Sequence, residues 1–212
     1  MSVDRYEYVS RILKYFGWLQ DLLLRNMRKH VVEVFKARKV VSVLDACCGA
    51  GTLSVYLRDA GMAVTGVDAS VSMLALAREK ADGITFIEAD LTNLDLKETV
   101  DGAVVALSLH EMGEQARSRI WESMKRVTTP GGPLVLVDFV ISNRKSLSSK
   151  IAWHFIWRDE KNIGRHDPSH FENFKEFMKN GGAKRWLLDQ SELIAQERYF
   201  LWGNLGVFVV NA

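Results

Sequence analysis

The sequence has little net charge, few cysteines and no long apolar run, and each of these features disfavours a class of protein. Its 212 residues carry a formal net charge of +2, which gives no sign of a nucleic-acid-binding surface covering the whole chain. No apolar run approaches the ~18 residues of a membrane span, and the first residues, 1–7, lack the apolar core of a signal peptide. The two cysteines, Cys47 and Cys48, are neighbours and poorly placed for an ordinary disulfide, which fits a reducing compartment. We therefore expect a cytoplasmic protein without a membrane span.

The composition is that of one globular unit. Hydrophobic residues make up 48% of the chain and charged residues 25%, enough to bury a full core, and this length fits one domain better than two. The sequence shows no internal repeat, low-complexity tract or linker rich in proline and serine. We predict a single domain over residues 1–212.

Helical and strand-like patterns alternate along most of the chain. Residues 6–37 have the pattern of a helix, because apolar residues recur at helical spacing, and Gly17 is a position where this helix can bend or divide. Apolar segments predict strands near 40–46, 62–67, 84–88, 101–107 and 133–139. Helical stretches are predicted between them, near 51–60, 70–81 and 112–128. Such alternation is typical of a parallel, doubly wound sheet.

The end of the chain follows another pattern. Two β-rich runs, 193–201 and 205–211, flank Trp202-Gly203-Asn204, which is a plausible hairpin turn. We predict that they close the sheet as an antiparallel pair.

The most informative stretch is Val43–Thr52, an apolar strand that ends in an acid and a double-glycine turn before a helix. Glycine is needed where the backbone takes positive φ or lies against a ligand, and the helix start offers unpaired N–H groups. The third glycine of the dinucleotide fingerprint is absent, since Ser54 stands at its position. A carboxylate at Asp45 would repel a pyrophosphate but could hold a cationic amine. The turn therefore favours a ligand that carries an amine.

With this motif the chain resembles the class I S-adenosylmethionine-dependent methyltransferases. Leu44–Thr52 is similar to their first motif, and Asp68 ends the next strand 17 residues after Gly51, near the roughly 20-residue spacing of a ribose-binding acid. Three later segments resemble the family's third strand, its fourth strand with the exit loop, and the turn into its fifth strand: 85–91, 101–111 and 127–138. The resemblance implies a Rossmann-like, doubly wound α/β fold. Its seven-stranded sheet would be mostly parallel, with a C-terminal antiparallel hairpin strand and helices on both faces.

The resemblance also implies a cofactor, S-adenosyl-L-methionine, and its product, S-adenosyl-L-homocysteine. Asp68 would accept hydrogen bonds from the ribose hydroxyls, Asp90 would accept from the adenine amino group, and Asp45 would face the ligand's amine. Any one of these acids could instead cap a helix. The predicted cofactor-binding residues are Asp45, Cys47, Gly49, Gly51, Asp68, Ala69, Asp90, Leu91 and Leu107.

His110 is the predicted catalytic residue. It follows the fourth strand, where the substrate-facing loop of the family begins, and its ordinary pKa near 6.5 suits a general base at neutral pH. The alternative is a histidine that caps or packs under the next helix. Methyl transfer from a sulfonium requires no metal, and two adjacent thiols are a poor zinc set, so no metal is expected.

An aromatic segment, 142–191, lies where this architecture often carries a substrate lid, and residues 1–38 form an N-terminal helical segment. The lid region resembles that of the ubiquinone/menaquinone-biosynthesis type of methyltransferase. We predict substrate contacts from Trp153, Trp157 and His170, and from Tyr15 in the N-terminal helix, although core packing is the alternative for each. An acceptor that is small and partly apolar fits such a lining.

Two other functions stay open. Nucleic-acid amino-methylating enzymes of this fold carry an acid or asparagine, two prolines and an aromatic after strand four, whereas the only prolines here are Pro130, Pro133 and Pro168. No nucleic acid is expected, although other RNA and protein methyltransferases lack that signature. A protein that binds the cofactor without turnover would show the same motifs. We expect a monomer or homodimer.

Overall fold

A computed structural model of the chain describes residues 6–141 and 146–212, apart from the side chains at positions 12 and 16. The first residues of the N-terminal segment, 1–5, and the start of the predicted lid, 142–145, lie outside the described residues. No helix in the described part is both long and apolar enough to cross a membrane.

Seven strands in the described residues form one sheet in the order β3-β2-β1-β4-β5-β7-β6. The first five pair in parallel, whereas β7 is antiparallel to both β5 and β6. This confirms the predicted mostly parallel sheet with an antiparallel C-terminal hairpin. The strands are β1 Ser42–Ala46, β2 Ala63–Asp68, β3 Thr85–Glu88, β4 Gly102–Ala106, β5 Pro133–Phe139, β6 Gln196–Phe200 and β7 Leu205–Asn211.

The central strands are apolar because the sheet is covered on both sides. All of β5 is buried, as is β1 from Val43 onward, and strands covered on two faces show continuous apolar runs. β6 lies at the edge and is mostly exposed, which is why its sequence, Gln196–Phe200, carries charges.

Helices surround the sheet, and the first is the longest. α1 runs through Gly17 without a break, so the predicted possibility of a division there is wrong. The described part of the predicted lid holds α5, α6 and α7, and Pro168 at the first position of α6 is typical of a helix start. The helices are α1 Glu7–Ala37, α2 Thr52–Asp59, α3 Val71–Lys80, α4 Glu114–Val127, α5 Leu147–Ile163, α6 Pro168–Lys179 and α7 Gly182–Asp189.

One hydrophobic cluster extends from Leu24 in α1 to Val210 in β7 and holds the sheet to its helices. A smaller cluster joins Ala50, Met73 and Leu76 to apolar side chains from the first turns of α1. The first half of α1 is thus packed beside the double-glycine turn.

Candidate functional site

A cavity of about 500 Å³ opens at the carboxyl ends of the parallel strands. Residues that follow β1, β2, β3 and β4 line it, and α1, α5 and α6 contribute side chains from outside the sheet. β1 and β4 are neighbours, and the strand order reverses between them, which is where open α/β sheets bind their ligands.

The two glycines of the turn have different surroundings. Both have positive φ, 53° at Gly49 and 69° at Gly51, a region that favours glycine. A Cβ added at Gly49 would meet no described atom within 4 Å, whereas one at Gly51 would lie 2.9 Å from Ala77 Cβ and 3.0 Å from the Phe86 ring. Gly49 lines the cavity, and Gly51 does not. Gly51 instead allows the start of α2 to pack against α3 and β3, so the structure does not bring this predicted cofactor residue to the cavity.

Asp68 ties the glycine turn to the end of β2. Its Oδ2 accepts the backbone N–H of Gly49 at 2.7 Å, and its Oδ1 accepts the N–H of Ser70 at 2.8 Å. Asp68 also lines the cavity, and a carboxylate oxygen is an acceptor of hydrogen bonds. This arrangement fits the pair of ribose hydroxyls predicted for it.

Asp45 is 2% exposed at the end of β1 and faces the same cavity. The Ser54 hydroxyl donates to its Oδ2 at 2.6 Å. Burial raises the pKa of Asp45 to about 7, the bond from Ser54 works against this rise, and the charge of Asp68 adds to it. A ligand ammonium group would favour the ionised form, so the position suits the amine end of the predicted cofactor.

The remaining predicted cofactor residues lie on the cavity wall. Asp90 also accepts the Thr92 N–H at 2.8 Å and begins a short 3-10 helix, so it is a helix cap as well. Cys47 and Leu107 have φ of 55° and 56°, a conformation rare for such side chains and often found at functional sites. Burial raises the pKa of the Cys47 thiol well above its usual value, which leaves a neutral thiol. Also on the wall are Ala69 and Leu91.

His110 lies at the other end of the cavity, in a 3-10 turn after β4, and is held by a carboxylate from β5. Its Nδ1 is 2.7 Å from Asp138 Oδ1, and its backbone N–H donates to Asp138 Oδ2 at 3.1 Å. Asp138 is completely buried. On the other side of the ring, His110 Nε2 is 3.5 Å from Glu160 Oε2 of α5.

His170 of α6 extends this arrangement. Its Nε2 is 2.5 Å from Glu160 Oε2, and its Nδ1 is 2.9 Å from Glu111 Oε2. The Tyr6 hydroxyl donates to the other oxygen of Glu111 at 2.8 Å. Two imidazoles therefore alternate with three carboxylates. We call these five residues the histidine–carboxylate cluster: His110, Glu111, Asp138, Glu160 and His170.

The carboxylates favour protons on both rings. Burial opposes the charge of His110, but Asp138 and Glu160 outweigh it, and the pKa of His110 is raised well above its usual value. Burial likewise opposes the charge of His170, and bonds from Glu111 and Glu160 raise its pKa to about 9. Burial alone would raise the pKa of Glu160, but the two histidines lower it to about 2. Because carboxylates lie beside both of its ring nitrogens, the protonated form of His110 is favoured, and action as the predicted general base would first require loss of one of these protons.

The predicted lid reaches the cavity through side chains other than its tryptophans. Glu160 and Ile163 of α5 and His170 and Asn173 of α6 line the cavity, and Trp153 and Trp157 do not. The tryptophans pack on α6, where the Trp157 ring centre is 5.6 Å and the Trp153 ring centre 6.0 Å from that of Phe174.

The other two predicted substrate residues are His170 and Tyr15, and the structure brings only His170 to the cavity. Tyr15 is 71% exposed and away from it. Two other tyrosines of the N-terminal segment contact residues between the helices instead. The hydroxyl of Tyr6 donates to Glu111, and the ring of Tyr8 stacks on His166 with centres 3.8 Å apart. These contacts join α1 to the loops around the cavity.

Several residues of the site were not predicted. Lys80 Nζ donates to the carbonyl of Ala50 at 3.0 Å, across the glycine turn. Arg28 is buried at the cavity and pairs with Asp21 at 2.8 Å. Asp138 could have been found from the sequence, because it is an acid near the end of an apolar strand, as Asp45 is; no comparable signal marks Glu160.

Comparison with known families supports the resemblance. Residues 43–132 match the family model described as "Methyltransferase domain". The demethylmenaquinone methyltransferase of Paenarthrobacter aurescens is 34% identical over 116 residues, 54% of this chain and 45% of that protein. The malonyl-[acyl-carrier protein] O-methyltransferase of Pectobacterium atrosepticum is 33% identical over 132 residues, 62% of this chain and 51% of that protein. The chain thus spans about half the length of these curated relatives.

Among solved structures, the N-methyltransferase NodS from Bradyrhizobium japonicum, in complex with S-adenosyl-L-homocysteine, aligns over 98% of both chains with a TM-score of 0.69. Its sequence is 15% identical to this chain. That likeness is one of fold.

Proposed function

We propose that this chain, which belongs to the class I S-adenosylmethionine-dependent methyltransferases, transfers a methyl group to a small, partly apolar metabolite. The matched relatives named above act on a quinone precursor and on a carrier-bound acyl group, by their names. Their acceptors support a small molecule rather than a nucleic acid. A single domain acting as a monomer or homodimer in the cytoplasm is part of this proposal.

The observation that carries the proposal is one continuous cavity with two chemically different ends. At one end lie Gly49 and the acids Asp45 and Asp68, and at the other lie His110 and His170. A cofactor at the first end and an acceptor at the second would share one cavity. Such an arrangement holds two reactants together.

The residues at the first end fit S-adenosylmethionine. Asp45 would pair with its ammonium group, Asp68 would accept from the ribose hydroxyls, and Asp90 from the adenine amino group. Gly49 leaves the backbone accessible there, since an added Cβ would meet no described atom. The cofactor, when bound, supplies an electrophilic methyl group on a sulfonium.

At the acceptor end this chain's side chains orient the acceptor. His110 lines this part of the cavity and would lie beside the acceptor, held in place by Asp138, and its predicted role as general base stays a prediction. His170 and Asn173 from α6 complete this wall. Trp153 and Trp157 would shape the acceptor site indirectly, by holding α5 to α6.

The test is transfer of a labelled methyl group. Purified protein would be incubated with methyl-labelled S-adenosylmethionine and, in separate reactions, a metabolite extract, a short-chain demethylmenaquinone, total RNA and total protein. We expect label in the small-molecule fraction alone. At a cofactor concentration near the wild-type Kd, Asp68→Ala should reduce this transfer several-fold, and Asp59→Ala, which removes an exposed acid from α2, should leave it unchanged.

Other outcomes would contradict parts of the proposal. Label in RNA or protein would overturn the acceptor class. Binding of S-adenosyl-L-homocysteine with no transfer to any fraction would favour a protein that uses the cofactor without turnover.

A further inference from the structure

We propose that His110, Glu111 and His170 bind a divalent transition-metal ion at the acceptor end of the cavity, with Zn²⁺ the expected ion. The three residues offer one donor atom each, and these atoms lie within 4.8 Å of one another. This inference departs from the sequence analysis, which predicted no metal.

The donor set suits such an ion. Two imidazole nitrogens and one carboxylate oxygen are ligands that zinc and related first-row ions prefer, at about 2.0–2.2 Å from the metal. Donors around a tetrahedral ion of this size lie roughly 3.3 Å apart. The side chains would have to move together by on the order of 1 Å, which small rotations of their terminal torsions allow.

The outer contacts of the two histidines strengthen the case. His110 Nδ1 is engaged by buried Asp138 at 2.7 Å, so Nε2 is its ligand atom, and the ion would replace the proton that Nε2 holds towards Glu160 at 3.5 Å. His170 Nε2 is engaged by buried Glu160 at 2.5 Å, which leaves Nδ1 on the side of Glu111. Metal-binding histidines are held in this way, because a carboxylate on the far nitrogen fixes the ring and raises its basicity.

Glu111 is held as a ligand would be. Its Oε1 accepts from the Tyr6 hydroxyl at 2.8 Å, so its Oε2 is the oxygen that lies 2.9 Å from His170 Nδ1. A metal ion would take the place of the proton between these two atoms. Metal binding of this kind releases protons from its ligands.

The position of the site gives the ion a use. All three ligands line the cavity, so three protein ligands would leave a coordination position directed at the acceptor space, as in catalytic rather than structural zinc sites. That position would take an acceptor with an ionisable hydroxyl or thiol. This last step rests on the proposed function, whereas metal binding itself does not.

The experiment measures metal directly. Protein stripped with a chelator and exchanged into metal-free buffer would be titrated with ZnCl₂ by calorimetry and with CoCl₂ by visible absorption. We expect one equivalent per chain and a cobalt spectrum of nitrogen and oxygen ligands. At zinc about 100 times its Kd, the melting midpoint should rise by roughly 5–10 °C.

Three variants locate the ion. Glu111→Gln removes a ligand charge at constant size and should weaken zinc binding by at least about tenfold. Asp138→Asn keeps the shape of the side chain that contacts His110 but removes its charge, and it should weaken zinc binding by roughly 10- to 100-fold. His154→Ala, the matched control, removes an exposed imidazole from the helix that carries Glu160 and should change nothing.

The same samples separate this inference from the proposed function. S-adenosyl-L-homocysteine affinity is measured alongside, and near-ultraviolet circular dichroism checks that each variant is folded. Failure to bind zinc and cobalt in the wild type overturns the metal site even if the cofactor binds. Equal zinc affinity in Glu111→Gln, Asp138→Asn and wild type, or a cobalt-thiolate absorption band from the cysteines, overturns it as well. Loss of cofactor binding with metal binding intact counts against the proposed function alone.

Discussion

Asp68 serves the fold and the cavity with one carboxylate. It accepts backbone N–H groups from Gly49 and Ser70, and so fixes the glycine turn beside the cavity. The sequence predicted its contact with the cofactor from strand position and spacing. It could not predict the bonds to the turn, because these depend on how β1 and β2 pair.

Replacing Asp68 should therefore affect both binding and stability. Asp68→Ala removes charge-assisted hydrogen bonds to the ribose hydroxyls and should weaken the binding of S-adenosyl-L-homocysteine by on the order of tenfold or more. Loss of the two backbone contacts should lower stability by about 1–3 kcal/mol. Calorimetry and thermal melting measure the two effects, with Asp59→Ala as control. Unchanged affinity in a folded Asp68→Ala protein would place the ribose elsewhere.

Asp45 should make cofactor binding depend on pH near neutrality. Its pKa is raised to about 7 by burial, against the bond from Ser54 and the charge of Arg28 and together with the charge of Asp68. Only the ionised form pairs with an ammonium group, so affinity should be highest above pH 7 and fall by up to about tenfold per unit below it. Affinity for S-adenosyl-L-homocysteine between pH 5.5 and 8 measures this.

Two variants check the assignment to Asp45. Asp45→Asn should bind more weakly and lose this pH dependence. Ser54→Ala removes a contact that lowers the pKa of Asp45 and should move the transition to higher pH. An identical pH profile in Asp45→Asn and wild type would assign the transition to another group.

At the scale of elements, the strands of the sheet were predictable and the packing of the lid helices α5 and α6 was not. Apolar runs that end in acids, such as those before Asp45 and Asp68, gave the parallel strands to within about two residues, because strands covered on both faces must be apolar throughout. The aromatic helices α5 and α6 have no such constraint. Trp153 and Trp157 lie one turn apart, as predicted, but the pattern could not show that their shared side faces α6 rather than the cavity. Glu160, which reaches the cavity, stands within a charged run, Arg158–Lys161, typical of an exposed helix face.

The position of Trp157 changes what its replacement should do. Its ring packs 5.3 Å from Phe171 and 5.6 Å from Phe174, and the residue is 37% exposed. Trp157→Ala should lower the free energy of unfolding by about 2 kcal/mol, which is less than the roughly 3–5 kcal/mol expected for replacing a fully buried tryptophan. The cofactor Kd should change less than about threefold, or ~0.7 kcal/mol.

Thermal melting and cofactor titration on the same Trp157→Ala protein measure both quantities. Trp18→Ala, at a tryptophan that is 67% exposed on α1, is the control. A normal melting temperature combined with a raised acceptor KM would instead support the predicted contact of Trp157 with the acceptor.

At the scale of the whole molecule, α1, α5 and α6 meet at the cavity. Tyr6 bonds to Glu111, and Tyr8 stacks on His166 in the turn between α5 and α6. The first half of α1 also packs on α3 beside the glycine turn. Distant parts of the sequence thus line one cavity, and these contacts between segments far apart in the chain were beyond prediction from local pattern.

Loosening the contacts between α1 and these loops should speed release of the bound product. Tyr8→Ala removes an aromatic pair worth about 0.5–1.5 kcal/mol, so S-adenosyl-L-homocysteine should dissociate roughly two- to tenfold faster. Stopped-flow fluorescence measures the rate. Tyr15→Ala, on the same helix but 71% exposed, provides the comparison, and equal rates in both variants would mean that α1 does not hold the ligand.

The different surroundings of the two turn glycines also have an evolutionary consequence. Gly51 is constrained by Ala77 and Phe86, so selection for a stable fold preserves it whether or not a ligand binds. Gly49 faces the cavity with no described atom near an added Cβ, so in a descendant that lost its ligand only the positive φ of 53° would still favour glycine there. In a lineage that loses the ligand, Gly51 is therefore expected to be retained longer than Gly49.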